Sequence, residues 1–104
     1  MGSNNDIPHQ KRVSKVTFTY DPDADAIYIQ LSRKALAYTK EVDDQRHIDY
    51  ADDGTAIGIE LLYTSDGIQV EGLPYPELVL RVVEAATCLR KAGTASHTKV
   101  TLNA

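Results

Sequence analysis

Two groups of side chains have types and spacings that could do chemistry. Asp21, Asp23 and Asp25 alternate in the stretch DPDAD. Oxygens at the first, third and fifth positions of a loop suit a calcium ion. An EF-hand loop also needs glycine at its sixth position and a bidentate carboxylate at its twelfth. Ala26 and Ser32 stand there instead, so the run reads as solvated carboxylates closing Asx turns. The second group is His47, Asp49, Asp52, Asp53 and Glu60. Asp49 and Glu60 lie roughly symmetrically about Asp52-Asp53-Gly54, and a hairpin there would bring them together. Such a pair can act as acid and base when its surroundings split the two pKa values. It can equally hold a cation, or pair with Arg33, Lys34 or Arg46. Glu60 lies within an apolar run and needs a specific partner, because a buried charge without one costs several kcal/mol. His47 shares a strand face with Asp49, but a transition-metal site normally takes three or more protein ligands. His47 therefore reads as a half-exposed structural histidine. Cys88 sits on a helix without a histidine beside it, so it reads as a buried or half-exposed thiol and not a nucleophile.

These groups must be positioned by strands. Val16, Phe18 and Tyr20 alternate with Thr17 and Thr19. Period 2 with β-branched and aromatic residues predicts a half-buried strand. Pro22 and the aspartates around it reverse the chain. A second strand follows, with Ile27, Ile29 and Leu31 on one face and Tyr28 on the other. The short loop predicts that the two strands pair antiparallel. A third strand is expected between Leu36 and Val42, near an edge, and a fourth over His47–Tyr50. Asp53-Gly54 is a strong hairpin signal, because glycine accepts positive φ. A fifth strand from Thr55 to about Tyr63 places Ile57, Ile59 and Leu61 on one face. Ala56, Gly58, Glu60 and Leu62 then lie on the other. Gly58 within a strand predicts a bulge or a close neighbour overhead.

Residues 64–76 form a Gly/Pro-rich loop, with an extended piece expected at Ile68–Val70. Pro76 opens the one helix, Glu77 to about Lys91. Leu78, Val82, Ala85 and Leu89 form its apolar stripe, and Gly93 is its stop. Residues 1–14, which hold His9, and 93–104, which hold His97, are polar and read as flexible tails, with Val100 and Leu102 able to form a transient strand.

Length and composition narrow the choices further. The chain has 104 residues, enough for one small domain, with 42% hydrophobic and 25% charged residues. Its formal net charge of -4 disfavours a nucleic-acid surface. One cysteine excludes an internal disulfide. No apolar run approaches a membrane span or a signal-peptide core. The expectation is a cytoplasmic protein with no nucleic-acid or membrane partner. The phosphate-loop, dinucleotide, zinc-protease and serine-hydrolase motifs are all lacking.

The order of motifs carries a resemblance. Tyr20-Asp21-Pro22, Asp25-Ala26-Ile27-Tyr28-Ile29, Ile48-Asp49-Tyr50, Asp53-Gly54 and Gly58-Ile59-Glu60-Leu61-Leu62 resemble the signature of the domain of unknown function 2283 family. Its members are small bacterial proteins. The resemblance covers roughly Val16 to Tyr63. It differs in Ile27, where the family usually has Leu, and in a longer loop at 64–76. It implies an antiparallel sheet packed on a helix and names no reaction. Some members stand beside genes for toxins, which adds an antitoxin role to the alternatives.

The expected fold is thus α+β: an antiparallel β-meander of four to five strands packed against one C-terminal helix, over residues 15–92. The expected core is Phe18, Ile27, Ile29, Leu31, Ile48, Ile57, Ile59, Leu61, Leu78, Val82, Val83, Ala86 and Leu89. A single sheet with one helix leaves an open face, which a homodimer could cover at Tyr28 and Leu62. The leading expectation is a non-catalytic protein-binding or self-assembly module. No catalytic residue, metal or cofactor is assigned, and the binding candidates are Tyr28, His47, Asp49, Glu60 and Leu62. The alternatives are an antitoxin-like regulator that binds a neighbouring toxin, and a small cation-dependent hydrolase using Asp49, Glu60 and His47.

Overall fold

A computed structural model describes residues 15–93 and 96–103. The expected tail over residues 1–14, with His9, lies outside the described residues. Strands β1 (Lys15–Asp21), β2 (Ala26–Gln30), β3 (Tyr38–Glu41), β4 (Arg46–Tyr50) and β5 (Ala56–Leu61) come first. A 3-10 turn (Thr64–Asp66), helix α1 (Pro76–Lys91) and strand β6 (Thr98–Asn103) follow. The α+β class holds, with one helix on one antiparallel sheet. The sheet has six strands, not four or five, in the order β3-β4-β5-β2-β1-β6. The sixth strand is the segment expected as tail: Val16 pairs with Leu102 and Phe18 with Val100. Among the apolar residues of that segment, Val100 and Leu102 fall on the core side of β1. That register is enough to dock a strand otherwise made of polar residues.

The order is also not that of a meander. β2 does not pair with β3. It pairs with β5, Ile27 opposite Leu61 and Ile29 opposite Ile59. The two apolar triplets recognised in sequence thus lie side by side at the sheet centre. The loop from Gln30 carries the chain to the far edge, and β3-β4-β5 returns toward β2. This is a Greek-key arrangement of β2 to β5, traced from its C-terminal end.

Alternation does what period 2 requires. Val16, Phe18, Tyr20, Ile27, Ile29, Ile48, Ile59 and Leu61 are buried, and α1 adds Leu78, Val79, Val82 and Ala86. Val16, Tyr20, Ala51, Leu73 and Val79 are buried beyond the expected core. Leu31, Val83 and Leu89 pack against that core while only partly buried. The loop before α1 has no strand at Ile68–Val70. Its Ile68, Val70 and Leu73 instead pack on the core. Two side chains at the start of β4, Gln45 of the β3–β4 turn and Arg46, pin that loop. Arg46 donates to the carbonyls of Gln69 at 2.9 Å and Glu71 at 2.6 Å, and Gln45 donates to those of Tyr63 and Gly67. No helix among the described residues is long and apolar enough to cross a membrane.

Candidate functional site on the open sheet face

The helix and the loop cover one face of the sheet. The other face carries the second residue of every strand pair. Register places Glu41, His47, Glu60, Tyr28, Thr19 and Lys99 in one row across all six strands. The adjacent row runs Thr39, Asp49, Gly58, Gln30, Thr17 and Thr101. Four of the five binding candidates, Tyr28, His47, Asp49 and Glu60, therefore meet on one surface. Leu62 lies just beyond β5, half-buried, with its amide bonded to the Gln45 carbonyl at 2.8 Å.

The contacts within this cluster are specific. The Tyr28 hydroxyl donates to Asp49 Oδ2 at 2.8 Å, and Thr39 Oγ1 donates to Asp49 Oδ1 at 2.6 Å. Both carboxylate oxygens of Asp49 are thus held by neighbouring hydroxyls. His47 Nδ1 lies 3.1 Å from Glu60 Oε1. The partner that Glu60 was expected to need is this histidine, and Glu60 itself is exposed. Its carboxylate points away from the apolar core into water, so the burial penalty expected from its apolar neighbours does not apply. Asp49 and Glu60 do not pair with each other. They lie in adjacent rows, Asp49 opposite Gly58 and Glu60 opposite His47; the bulge between Asp49 and Tyr50 shifts the register by one residue and so brings both carboxylates to the same face.

Gly58 explains the placement of Tyr28. A Cβ on Gly58 would overlap the hydroxyl oxygen and Cζ of Tyr28. The ring of β2 lies across the bare backbone of β5 to reach Asp49 on β4. The close neighbour predicted over Gly58 is this tyrosine. Burial, then the Asp49 hydrogen bond and the charges of Asp49 and Glu60, push the Tyr28 phenol up to about 12.

The acidic turn of β1–β2 splits into two roles. Asp21 Oδ1 accepts from the amides of Asp23 and Ala24, the expected Asx turn. Asp25 does something its sequence neighbours do not announce. Its backbone is left-handed (φ 54), which turns the carboxylate toward the 3-10 turn. There it accepts from Thr64 Oγ1 at 2.8 Å, from the Ser65 amide and from the Ser65 hydroxyl. Partial burial acts to raise its pKa, and the Ser65 and Thr64 hydrogen bonds outweigh it, holding the carboxyl below its ordinary value. Nothing local marks Asp25 for this, since its partners come from the 3-10 turn after β5. In the second hairpin, Asp53 Oδ1 accepts from the Thr55 amide, and Lys34 pairs with Asp53 Oδ2 at 2.5 Å. The lysine, then Thr55, keep that carboxyl well below the usual range.

Chemically, the cluster offers a tyrosine–aspartate–threonine chain and a histidine–glutamate pair. No group of three or more His, Cys, Asp or Glu side chains among the described residues is placed to hold a metal ion. Cys88 is exposed on α1. The apolar stripe puts Val82, Ala86 and Leu89 toward the sheet and leaves Cys88 on the wet side.

The class is therefore a single-sheet α+β domain whose signature residues fix turns, a loop and a cross-strand tyrosine. Residues 17–65 match the family described as Protein of unknown function (DUF2283), and this stretch resembles it as the motifs implied. The match runs from β1 to Ser65, which is also the stretch that Asp25 ties together. No curated protein and no solved structure matches the chain.

Proposed function

We propose that the domain is a non-catalytic protein-contact module, with the polar sheet face as its contact surface. The observation that carries this reading is the division of labour among the signature residues. Asp21, Asp25, Asp53, Gly54 and Gly58 serve the backbone, and Tyr28 and Thr39 occupy both oxygens of Asp49. One donor on each oxygen fixes the Asp49 carboxylate as an acceptor that ties β2 and β3 to β4. Among the described residues no element packs across this face, while Tyr28 presents an aromatic edge within it. Aromatic residues on an otherwise polar surface are enriched at protein contacts. Titration with magnesium, calcium and zinc, followed through backbone amide shifts, tests the reading. The expected result is no saturable shift at His47, Asp49 or Glu60. Saturable shifts at all three would overturn it in favour of the cation-dependent hydrolase.

A further inference from the structure

The open face carries charge of opposite sign on its two halves. The β3-β4-β5 half bears Glu41, Asp49 and Glu60. The β2-β1-β6 half bears Lys99 and Lys15, and Arg33 stands beside them after β2; Asp21, at the far end of β1 on the same face, accepts from the amides of its own turn. Lys15, Arg33 and Lys99 line one polar groove with Thr17, Gln30 and Thr101. Glu41, Lys15, Arg33 and Lys99 are exposed, and none of them has an ion-pair partner among the described residues. Of the pairs that do form, Lys34–Asp53 and Arg46–Asp43 lie at turns and loops, and His47–Glu60 lies on the face itself.

We infer that the occupant of this face is a second copy of the chain, packed sheet to sheet about a two-fold axis parallel to the strands. This deepens the contact-module reading and rests on it. The axis follows from the charges. A two-fold axis lying across the strands would set each half on its own copy, acid over acid and base over base. A two-fold axis along the strands, above the β5–β2 boundary, exchanges the halves. β3 then lies over the partner's β6, β4 over its β1 and β5 over its β2. Within the row already defined, Glu41 meets Lys99 of the partner subunit, and Lys99 meets Glu41 of the partner subunit. Every contact is made twice, as an isologous interface demands. Sheets packed face to face lie about 10 Å apart, a gap that paired Lys and Glu side chains span. Like charges opposed across such a gap disfavour the alternative axis, so the pattern selects one arrangement. Six strands at about 4.8 Å spacing make a face roughly 24 Å wide. A polar interface of that size is small, so the dimer forms in the micromolar range and weakens with salt.

The test is a reciprocal charge swap read by light scattering at low salt. The native chain is expected to have the mass of a dimer at high micromolar concentration. Glu41→Lys alone and Lys99→Glu alone are each expected to be monomeric, with circular dichroism unchanged. An equimolar mixture of the two is expected to dimerise again, because both cross-contacts then join opposite charges. A native chain that stays monomeric overturns the inference. So does a dimer that neither reversal breaks, or a mixture that stays monomeric. A monomer leaves the contact-module reading standing for another partner, since that reading falls only to the cation titration.

Discussion

Gly58 and Tyr28 are one device made of two residues. The ring occupies the space where any other residue on β5 would place its Cβ. Gly58→Ala must swing the ring aside and break its bond to Asp49. Overpacking of this kind costs roughly 1–3 kcal/mol. With Tyr28→Ala already present, the same substitution meets open space, so its cost should fall toward zero. Urea unfolding of the native chain, both single variants and the double variant measures this coupling. Simple additivity would show that the ring does not depend on the missing side chain. Asp25 acts through charge. Its carboxyl titrates below the ordinary value of 3.8 in the folded chain. The stability it contributes is therefore present above that value and is lost as pH falls through the folded pKa. Asp25→Asn should lower stability by about 1 kcal/mol at neutral pH, because hydrogen bonds to a charged group contribute roughly 1.5–3 kcal/mol and solvent screening at this partly exposed turn reduces that. The two thermal-midpoint curves should converge as pH falls below about 4. Curves that stay parallel down to about pH 2 would locate the acid sensitivity elsewhere.

At the scale of elements, the strands with strict alternation are legible in the sequence. β1, β2, β4 and β5 repeat apolar residues at period 2, and α1 carries an unbroken stripe from Pro76. β3 is legible only as an edge, and all four of its residues are exposed. Strand order is not legible. The triplets Ile27-Ile29-Leu31 and Ile57-Ile59-Leu61 fit beside each other or beside other partners equally well by pattern alone. What decides is the burial of both triplets under α1, a long-range effect. β6 is hidden for a related reason. Thr98, Lys99 and Thr101 read as tail, and only the pairing with β1 makes Val100 and Leu102 count. The site is half legible. Tyr28, His47, Asp49 and Glu60 do share a face, and Gly58 marks the bulge beside it, while the Thr39–Asp49 contact depends on a strand pairing that no local pattern shows. Leu73 and the Arg46 clamp escape a sequence reading because a loop's apolar residues declare no period.

The whole molecule is a two-layer domain with unequal faces. One face is spent on the core, and the other is polar, patterned and uncovered by the described elements. That asymmetry is the common ground of the contact-module reading and of the paired-sheet arrangement. It also means that stability and contact can vary independently. Glu41 and Lys99 touch neither the helix nor the core, so charge reversal there should change association and leave the stability of the monomer within about 0.5 kcal/mol of the native value. Urea unfolding of the two charge-reversed variants at low protein concentration checks this.

The placement of β1 between β2 and β6 has a kinetic consequence. β1 pairs with the strand that follows it directly, and also with one as distant as Thr98–Asn103. The β2–β5 seam likewise joins two separate hairpins. Closing such loops costs chain entropy before the contacts return it, and folds rich in distant pairings reach the native state in milliseconds to seconds. Stopped-flow refolding should show that slow range. Pulse-labelled amide exchange should find the β4–β5 hairpin protected earlier than β6. A microsecond folder, or protection that rises in β6 first, would mean that the last strand seeds the sheet instead of closing it.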